Sequence, residues 1–266
     1  MGTGAAAGNG SCKHAVSAVA TKLSAPAGTF LGASLDYCFD YARMADEIRG
    51  VAEFFIDTPP YDSQVTQGLR GEIPFRSASR EDYGLIDLCR LIGSQRRIER
   101  RGLRAVKIFY LRNSAVSDVF HEPRFSVNKK LPHESWFWRP EFVERIPYTI
   151  SCVEALPYRH IGLVRAFVCE DTFMPTHRDT VPDAEGRYAL DQALGISLIP
   201  ATGGVGMLIW DEAQKQVHEL KGHCLIFDDS KWHGVPMTRG MRITLRIFGE
   251  LDFDRGREHF VHVLRN

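Results

Sequence analysis

The second half of the chain is a succession of short β-type segments, and this feature constrains the fold most strongly. The segments are residues 160–169, 194–199, 206–210, 224–227 and 242–248. Glycine and proline separate them, as is typical of strands joined by turns. Many short strands at close spacing, without helices between them, predict a sandwich, barrel or jelly roll and not a parallel sheet of β-α-β units.

Helical patterns occupy the first half of the chain. Apolar residues recur every three or four positions over residues 34–55, and Ser34 is placed to cap this helix at its N-terminus. Ser79 starts a second helical pattern with a capping-box-like sequence, and Pro140 suits the first turn of a third. We expect Pro147 to kink or stop this third helix.

The charge balance argues against nucleic acid as a partner. The 266 residues include 33 Lys and Arg and 33 Asp and Glu, so the formal net charge is zero. A basic stretch at residues 96–112 is dense in arginine, but Glu99 interrupts it and residues 105–111 follow the pattern of an apolar strand. We interpret the stretch as a solvated helix end followed by a strand, and we expect a small-molecule partner.

The sequence carries no secretory or membrane-spanning pattern. The first thirty residues lack a basic start followed by a continuous apolar run, and no window approaches the roughly 18 to 20 uninterrupted apolar residues of a spanning helix. The six cysteines have no C-x-x-C spacing, which favours reduced thiols. We therefore expect a cytoplasmic protein that does not bind a membrane, with an oligomeric state that the sequence leaves open.

Three residues have the types and the spacing of a metal site. His177 and Asp179 stand two positions apart after a β segment, and His233 follows His177 by 56 residues. On an extended chain a spacing of two places an imidazole and a carboxylate on the same side. Two histidines and one carboxylate on one face of an ion leave the opposite positions open, as in non-haem Fe(II) oxygenases, whereas a structural zinc site is closed.

A strand pattern after His233 carries two arginines on one face. Polar and apolar residues alternate over residues 242–248, so Arg242, Thr244 and Arg246 share one side of the strand. If the apolar side packs against helices, both guanidinium groups point into the β structure, where a buried charge requires an anionic partner. A dicarboxylate fits, because an arginine fork binds a carboxylate with two hydrogen bonds and Thr244 adds a hydroxyl donor.

These elements, in this order, resemble those of the Fe(II)/2-oxoglutarate-dependent oxygenases: H-x-D, a distal histidine, and an arginine nine residues beyond it that is followed by x-Thr. Residues 222–230 and 194–200 are similar to the aspartyl/asparaginyl β-hydroxylase and free-proline hydroxylase branch. That branch usually lacks an acidic metal ligand, whereas Asp179 is present here. A small free substrate is therefore favoured over a peptidyl Asp or Asn.

The resemblance implies a mainly β fold with flanking helices and a double-stranded β-helix core, the cupin-like jelly roll. It implies that His177, Asp179 and His233 bind Fe(II), and that the cosubstrate 2-oxoglutarate reaches Arg242 and Thr244 with its distal carboxylate. Together with O2, these groups would oxidise an unactivated C–H bond of the substrate and convert 2-oxoglutarate into succinate and CO2.

The resemblance covers residues 158–251 and sets the expected domain organisation. Residues 1–30 are rich in Gly, Ala and Ser, and we expect them to form a poorly ordered arm. Residues 31–266 are then a single oxygenase domain, with a helical N-terminal part at 31–157 and the jelly-roll core at 158–251.

The primary substrate is expected to be small and to bear a carboxylate, as a free amino acid or a metabolite derived from one does. Arg165 stands in an otherwise apolar row of its strand, so its charge calls for a substrate carboxylate or an internal salt bridge. Arg246 is the substitute for this role. Asp191 is predicted to bind a substrate ammonium group, and Trp210 to form part of the pocket wall.

Two other functions are open at this point. A cupin-like metal-dependent isomerase or hydrolase would use the same two-histidine, one-carboxylate site without 2-oxoglutarate, but this hypothesis leaves Arg242 unexplained. A non-catalytic jelly-roll binding protein is the second alternative, and the intact set of metal-binding residue types argues against it.

Overall fold

The computed structural model describes residues 30–54, 56–57, 107–114, 136–171, 173–177 and 194–265. Its strands are β1 (Phe30–Leu35), β2 (Ile56–Asp57), β3 (Lys107–Ser114), β4 (Trp136–Trp138), β5 (Tyr158–Glu170), β6 (Met174–His177), β7 (Leu194–Thr202), β8 (Met207–Asp211), β9 (Gln216–Leu220), β10 (Cys224–Asp228), β11 (His233–Val235), β12 (Met241–Leu251) and β13 (Phe260–Arg265). Its helices are α1 (Tyr41–Gly50), α2 (Pro140–Val143) and α3 (Pro147–Glu154), with 3-10 turns at Ala52–Phe54 and Arg257–His259.

The described strands form two antiparallel sheets. The larger has nine strands in the order β13-β1-β10-β7-β12-β5-β3-β2, with β4 paired to β3. The smaller has four strands in the order β6-β11-β8-β9. Side chains from both sheets meet in one apolar cluster, in which Leu31, Ile199 and Phe227 of the larger sheet pack with Ile209 and Val235 of the smaller. The two sheets therefore face each other, and the predicted mainly β fold with a jelly-roll core is confirmed.

The outer face of the larger sheet is covered by the helices. Ile243, Leu245 and Ile247 of β12 belong to the same buried cluster as Met44 of α1 and Val153 of α3. Burial of this face leaves the alternate residues of β12 to point between the sheets, because successive side chains of a strand point to opposite sides. The position of the helices thus decides which side of β12 lines the interior.

The first helix begins later than its apolar spacing predicts. Ser34 lies in strand β1, where its buried hydroxyl donates to the Lys221 carbonyl at 2.7 Å, and it caps no helix. Asp40 is the cap of α1, and its carboxylate accepts the Arg43 N–H at 2.9 Å. Residues 30–35 extend because β1 pairs with both β10 and β13, and such long-range pairing overrides a local helical pattern.

The five strands predicted in the second half correspond to β5, β7, β8, β10 and β12, with ends that differ by up to about three residues, whereas β6, β9, β11 and β13 were not predicted. The apolar pattern at residues 105–111 corresponds to β3. Pro147 stands at the first turn of a new helix, α3, so it starts a helix after α2 has ended at Val143. The larger sheet also extends beyond residues 158–251, because β1, β3 and β13 join it.

Some predictions fall outside the described residues. They include residues 1–29 of the arm predicted at 1–30, the helix predicted from Ser79, and residues 96–106 of the basic stretch. Phe30, the last residue of the predicted arm, lies in β1. In the described part of the chain, no helix is long and apolar enough to cross a membrane.

Candidate active site

A cavity of about 260 Å³ lies between the two sheets. Both sheets contribute to its walls, which are mostly apolar and include several polar side chains. The described lining residues are Ile108, Arg165, Phe167, Met174, Ser197, Ile199, Met207, Phe227, His233, Gly234, Val235, Arg242, Thr244 and Arg246. An apolar cleft with a few convergent polar groups is typical of a small-molecule site.

Four residues with predicted binding roles line the cavity. One was predicted to bind the metal, two to bind the cosubstrate, and one to bind the substrate if Arg165 does not. Arg242, Thr244 and Arg246 line it from β12, and His233 lines it from β11 on the opposite sheet. The prediction that the polar side of residues 242–248 faces the interior is confirmed, since Ile243, Leu245 and Ile247 pack toward the helices. The period of two within one strand is the reason for this arrangement.

Arg242 is a buried cation without a carboxylate partner among the described residues. Its side chain is 2% exposed, and Nη1 donates to the carbonyls of Thr202 and Val205 at 2.8 Å each. Its Nε atom is buried and makes no hydrogen bond. Burial lowers the pKa of Arg242 to about 10, so the guanidinium stays protonated at neutral pH. A buried cation that lines a cavity and has no carboxylate partner among the described residues is suited to an anionic ligand there.

His233 has the hydrogen bonding of a metal-binding histidine. The residue is 3% exposed, and its Nδ1 lies 2.8 Å from the Lys231 carbonyl oxygen. A carbonyl only accepts, so Nδ1 carries the hydrogen, and in the neutral imidazole the lone pair is on Nε2. Phe227 packs edge-on against the ring, with centroids 4.8 Å apart, which holds the ring orientation. Such fixing of tautomer and orientation is what metal-binding histidines require.

His177 lies directly opposite His233. The two are register partners on the antiparallel strands β6 and β11. This register brings the two backbone positions next to each other across the strand pair. Asp179, the third predicted ligand, lies outside the described residues, as does Asp191. Among the groups that the structure describes, no cluster of three potential metal ligands occurs.

Arg246 has a different environment from Arg242. Its Nη2 donates to the Asp229 carboxylate at 3.1 Å, and its Nη1 donates to the Gly195 carbonyl and, at 3.5 Å, to the Ser197 hydroxyl. The guanidinium carbon lies 4.0 Å from the centroid of the Phe227 ring. Both members of the ion pair are buried, Asp229 completely. Arg246 therefore has an internal counterion, whereas Arg242 has none among the described residues.

We expect Asp229→Asn to destabilise the protein by about 3–5 kcal/mol, because it leaves the Arg246 charge buried without its counterion. Urea unfolding monitored by circular dichroism measures this change. Asp254→Asn is the matched control, since Asp254 pairs with Arg257 at an exposed site and should lose less than about 1 kcal/mol. Equal effects of the two substitutions would show that the buried pair has no special role.

Because Gly195 has no side chain, the Arg246 guanidinium can pack against its backbone. A Cβ atom at Gly195 would lie 2.9 Å from the Arg246 Cζ atom and 2.9 Å from the Ile247 carbonyl oxygen. We expect Gly195→Ala to destabilise the fold by about 1–3 kcal/mol, because overpacking must displace strand backbone or the guanidinium. Gly50→Ala is the control, since a Cβ atom there would meet no atom within 4 Å and the residue ends helix α1. The thermal unfolding temperatures of the two variants measure this difference in stability. Equal temperatures would show that the close contact between Gly195 and the Arg246 guanidinium does not limit the size of the side chain at position 195.

The residues predicted for substrate binding separate into two groups. Arg165 lines the cavity, with its guanidinium carbon 5.0 Å from the Phe167 ring centroid and 5.6 Å from that of Phe248. Trp210 is buried on β8 but is not among the residues lining the cavity. Its neighbour Ile209 packs into the cluster between the sheets, and alternation places Trp210 on the other face. The structure therefore does not bring Trp210 to the site.

Sequence reasoning missed two polar residues of this region, Ser197 and Asp229. Ser197 lies in an apolar strand segment, and Asp229 directly follows β10. A turn begins there, in which the Ser230 N–H and hydroxyl both donate to the Asp228 carboxylate. Burial raises the pKa of Asp228 nevertheless. The one sequence signal that could have indicated Ser197 is that it is a polar residue within the otherwise apolar segment 194–200.

Comparisons with known proteins found similar solved structures. The chain is similar to a prolyl hydroxylase in complex with a hypoxia inducible factor oxygen degradation domain peptide fragment from Trichoplax adhaerens, with 11% identity, a TM-score of 0.44, and 89% of each chain covered. It is also similar to a Pseudomonas putida prolyl-4-hydroxylase, with 14% identity, a TM-score of 0.40, and 88% of this chain and 98% of that chain covered.

A third similar structure is an oxidoreductase of the 2OG-Fe(II) oxygenase family from Burkholderia pseudomallei, with 11% identity and a TM-score of 0.34. The match covers 81% of this chain and 94% of that chain. No protein-family model and no curated protein matches the sequence. Assignment to the aspartyl/asparaginyl and free-proline hydroxylase branch stays a prediction.

Proposed function

We propose that this protein is an Fe(II)- and 2-oxoglutarate-dependent oxygenase that oxidises an unactivated C–H bond of a small, carboxylate-bearing substrate. The observation that carries the proposal is the buried Arg242. It is a cation without a carboxylate partner among the described residues, and it lines the same cavity as His233. A metal ligand and an anion site in one cavity between two sheets is the combination that this chemistry requires.

The residues of the site fit the metal. His233 has its Nδ1 hydrogen bonded to a backbone carbonyl, and His177 is its register partner on the adjacent strand. With Asp179 they would hold Fe(II) through two imidazoles and one carboxylate, a ligand set that suits this ion and leaves positions for other ligands. When bound together with 2-oxoglutarate and O2, the iron supplies the oxidation of a C–H bond, with succinate and CO2 as by-products.

The residues also fit the cosubstrate. Arg242 would bind the distal carboxylate of 2-oxoglutarate through its buried donors, and Thr244 would add its hydroxyl from the same face of β12. Ile199, Met207 and Val235 form apolar walls. A dry environment of this kind strengthens the ion pair between the guanidinium and the carboxylate.

The experiment is an assay of succinate formation with Fe(II), ascorbate and 2-oxoglutarate, first without and then with members of a metabolite panel rich in free amino acids. We expect slow succinate formation alone and faster formation with the substrate. An isomerase or hydrolase would turn over metabolites without forming succinate, and a binding protein would do neither. Absence of succinate from iron-loaded protein across the panel would contradict the proposal.

A further inference from the structure

The Phe227 ring contacts both the His233 imidazole and a buried arginine. Phe227 of β10 packs edge-on against His233, with ring centroids 4.8 Å apart. The Arg246 guanidinium carbon lies over the same Phe227 ring, 4.0 Å from its centroid. Phe227, His233 and Arg246 are 2%, 3% and 4% exposed, so both contacts are shielded from water. The three side chains therefore form a continuous buried contact from β12 to the candidate metal ligand.

The guanidinium of Arg246 is fixed on several sides. Its Nη2 donates to the Asp229 carboxylate at 3.1 Å, and its Nη1 donates to the Gly195 carbonyl. The Phe248 ring centroid lies 4.9 Å from the guanidinium carbon. A Cβ atom at Gly195 would lie 2.9 Å from the same carbon, so the backbone of β7 is close as well. An arginine held in this way presents a fixed cationic surface to the Phe227 ring.

This contact restricts the plane of the Phe227 ring and, through it, the plane of the imidazole. A cation is attracted to the electron-rich face of an aromatic ring, most strongly where water is excluded. The hydrogen bond from His233 Nδ1 to the Lys231 carbonyl fixes one atom of the imidazole but not its plane. Contact with a ring that cannot tilt restricts this remaining freedom, so that Nε2 points in one direction.

Stability alone does not account for the ion pair between Arg246 and Asp229, because apolar residues of similar volume often stabilise a protein equally well. A role beside the metal site accounts for both charges. The guanidinium supplies the cation that packs on Phe227. The completely buried Asp229 carboxylate compensates this charge, which would otherwise repel a metal ion bound at His233.

We propose that Arg246 is a positioning residue for the metal ligand His233 and acts through the ring of Phe227, with Asp229 as its counterion. The inference rests on the proposed function, in which His233 binds Fe(II). In this role Arg246 needs no contact with the iron or the substrate. It raises the metal affinity, because an imidazole that already points toward the metal loses less freedom on binding.

The first test is an anaerobic calorimetric titration of the metal-free full chain with Fe(II). The double variant Arg246→Met with Asp229→Leu removes the ion pair as a unit, whereas Phe227→Leu removes the ring and keeps the pair. We expect each to bind Fe(II) about tenfold more weakly than wild type, as is typical of residues that orient a metal ligand. All three substitutions together should also weaken binding only about tenfold, because Arg246 acts through Phe227.

A loss in the combined variant that exceeds the loss in Phe227→Leu would overturn the inference, because the two residues would then act independently. Wild-type affinity in the double variant would also overturn it. Arg246→Lys provides the same comparison if the double variant does not fold, since lysine keeps a cation beside Asp229 but lacks the planar guanidinium. It should weaken Fe(II) binding in the wild-type background and cause no further loss in the Phe227→Leu background.

Tyr158→Phe is the matched control for a loss of stability. The buried Tyr158 hydroxyl donates to the Ile247 carbonyl at 2.8 Å and accepts from the Ile196 N–H at 3.0 Å, and Tyr158 does not line the cavity. Loss of these hydrogen bonds should lower the thermal unfolding temperature and leave the Fe(II) affinity at the wild-type level. If Tyr158→Phe weakens Fe(II) binding as much as the double variant does, the effect is one of stability and the inference is wrong.

A second readout uses metal-free protein and measures His233 directly. The imidazole signals in 15N NMR spectra are assigned by their loss in His233→Ala. We expect the Nδ1 hydrogen to exchange with water roughly tenfold faster in Phe227→Leu and in the double variant than in wild type or Tyr158→Phe. Equal exchange rates in these four proteins would overturn the inference.

Fe(II) titration of His233→Ala separates this inference from the proposed function. If His233→Ala binds Fe(II) as tightly as wild type, the proposed metal site fails, and the inference fails with it. If His233→Ala loses Fe(II) binding while Phe227→Leu and the double variant keep wild-type affinity, the metal site stands and only the positioning role is wrong.

Discussion

Replacing His233 by alanine is expected to abolish succinate formation and to weaken iron binding more than about 100-fold. The reason is the geometry of the imidazole: it is buried in the cavity wall, and its Nδ1 is hydrogen bonded to the Lys231 carbonyl, so that Nε2 carries the lone pair. Loss of a partner that only orients a ligand already reduces metal affinity or activity roughly 10- to 100-fold. Loss of the ligand itself exceeds that effect. Iron binding is measured by titration under anaerobic conditions, and turnover by succinate release.

His262→Ala is the matched control for this prediction. His262 is exposed on the edge strand β13 and does not line the cavity, so iron affinity and turnover should both stay at the wild-type level. The thermal unfolding temperature of each variant shows whether the fold is kept. If the His233→Ala protein binds iron as tightly as wild type and keeps its activity, the metal site has been placed on the wrong residues.

Replacing Arg242 by leucine is expected to raise the KM for 2-oxoglutarate well over tenfold, with a smaller change in kcat. Removing one partner of a buried, charge-assisted pair costs roughly 2–5 kcal/mol. Because Arg242 has no carboxylate partner among the described residues, the ion pair that this substitution removes is the one with the ligand. The hydrogen bonds from Nη1 to the Thr202 and Val205 carbonyls are lost as well, and the thermal unfolding temperature of the variant measures their effect. Arg242→Lys should give an intermediate KM, since lysine keeps the charge but lacks the planar fork.

Arg239→Leu is the control, because Arg239 is exposed three residues before Arg242 and does not line the cavity. Its KM for 2-oxoglutarate should equal that of wild type. An unchanged KM in Arg242→Leu would contradict the assignment of the distal carboxylate. Arg246 would then be the residue to test next.

The local sequence was sufficient to predict β5, β7, β8, β10 and β12, and the side on which the residues of β12 point, but β6, β9 and β11 of the smaller sheet were not predicted. On β12 the alternation of Arg242, Thr244 and Arg246 with apolar residues predicted an inward polar face, and the structure has that face. The prediction succeeds because alternation is a property of the extended backbone itself and does not depend on which strands lie beside it. It also explains why type and spacing alone indicated several residues that line the cavity.

Predictions that depended on distant partners were less successful. Residues 34–55 have helical spacing, yet Ser34 lies in β1 because Ala33 pairs with Ile226 on one side and with Val263 on the other. These pairings join positions about 190 and 230 residues apart in sequence, and the free energy of forming them exceeds the weak local preference for a helix.

The sequence by itself determined the fold class and indicated four of the residues that line the cavity from β11 and β12, namely His233, Arg242, Thr244 and Arg246. Only the tertiary structure decided how the two arginines of β12 differ. They are equivalent in the strand pattern, but Arg246 forms an ion pair with Asp229, which follows β10. Its guanidinium also packs against Gly195 of β7, where a side chain would leave no room for it. Among the described residues, the hydrogen bonds of the Arg242 guanidinium go to backbone carbonyls and not to a carboxylate. Charge compensation depends on distances across the sheets, and a one-dimensional pattern contains no information about those distances.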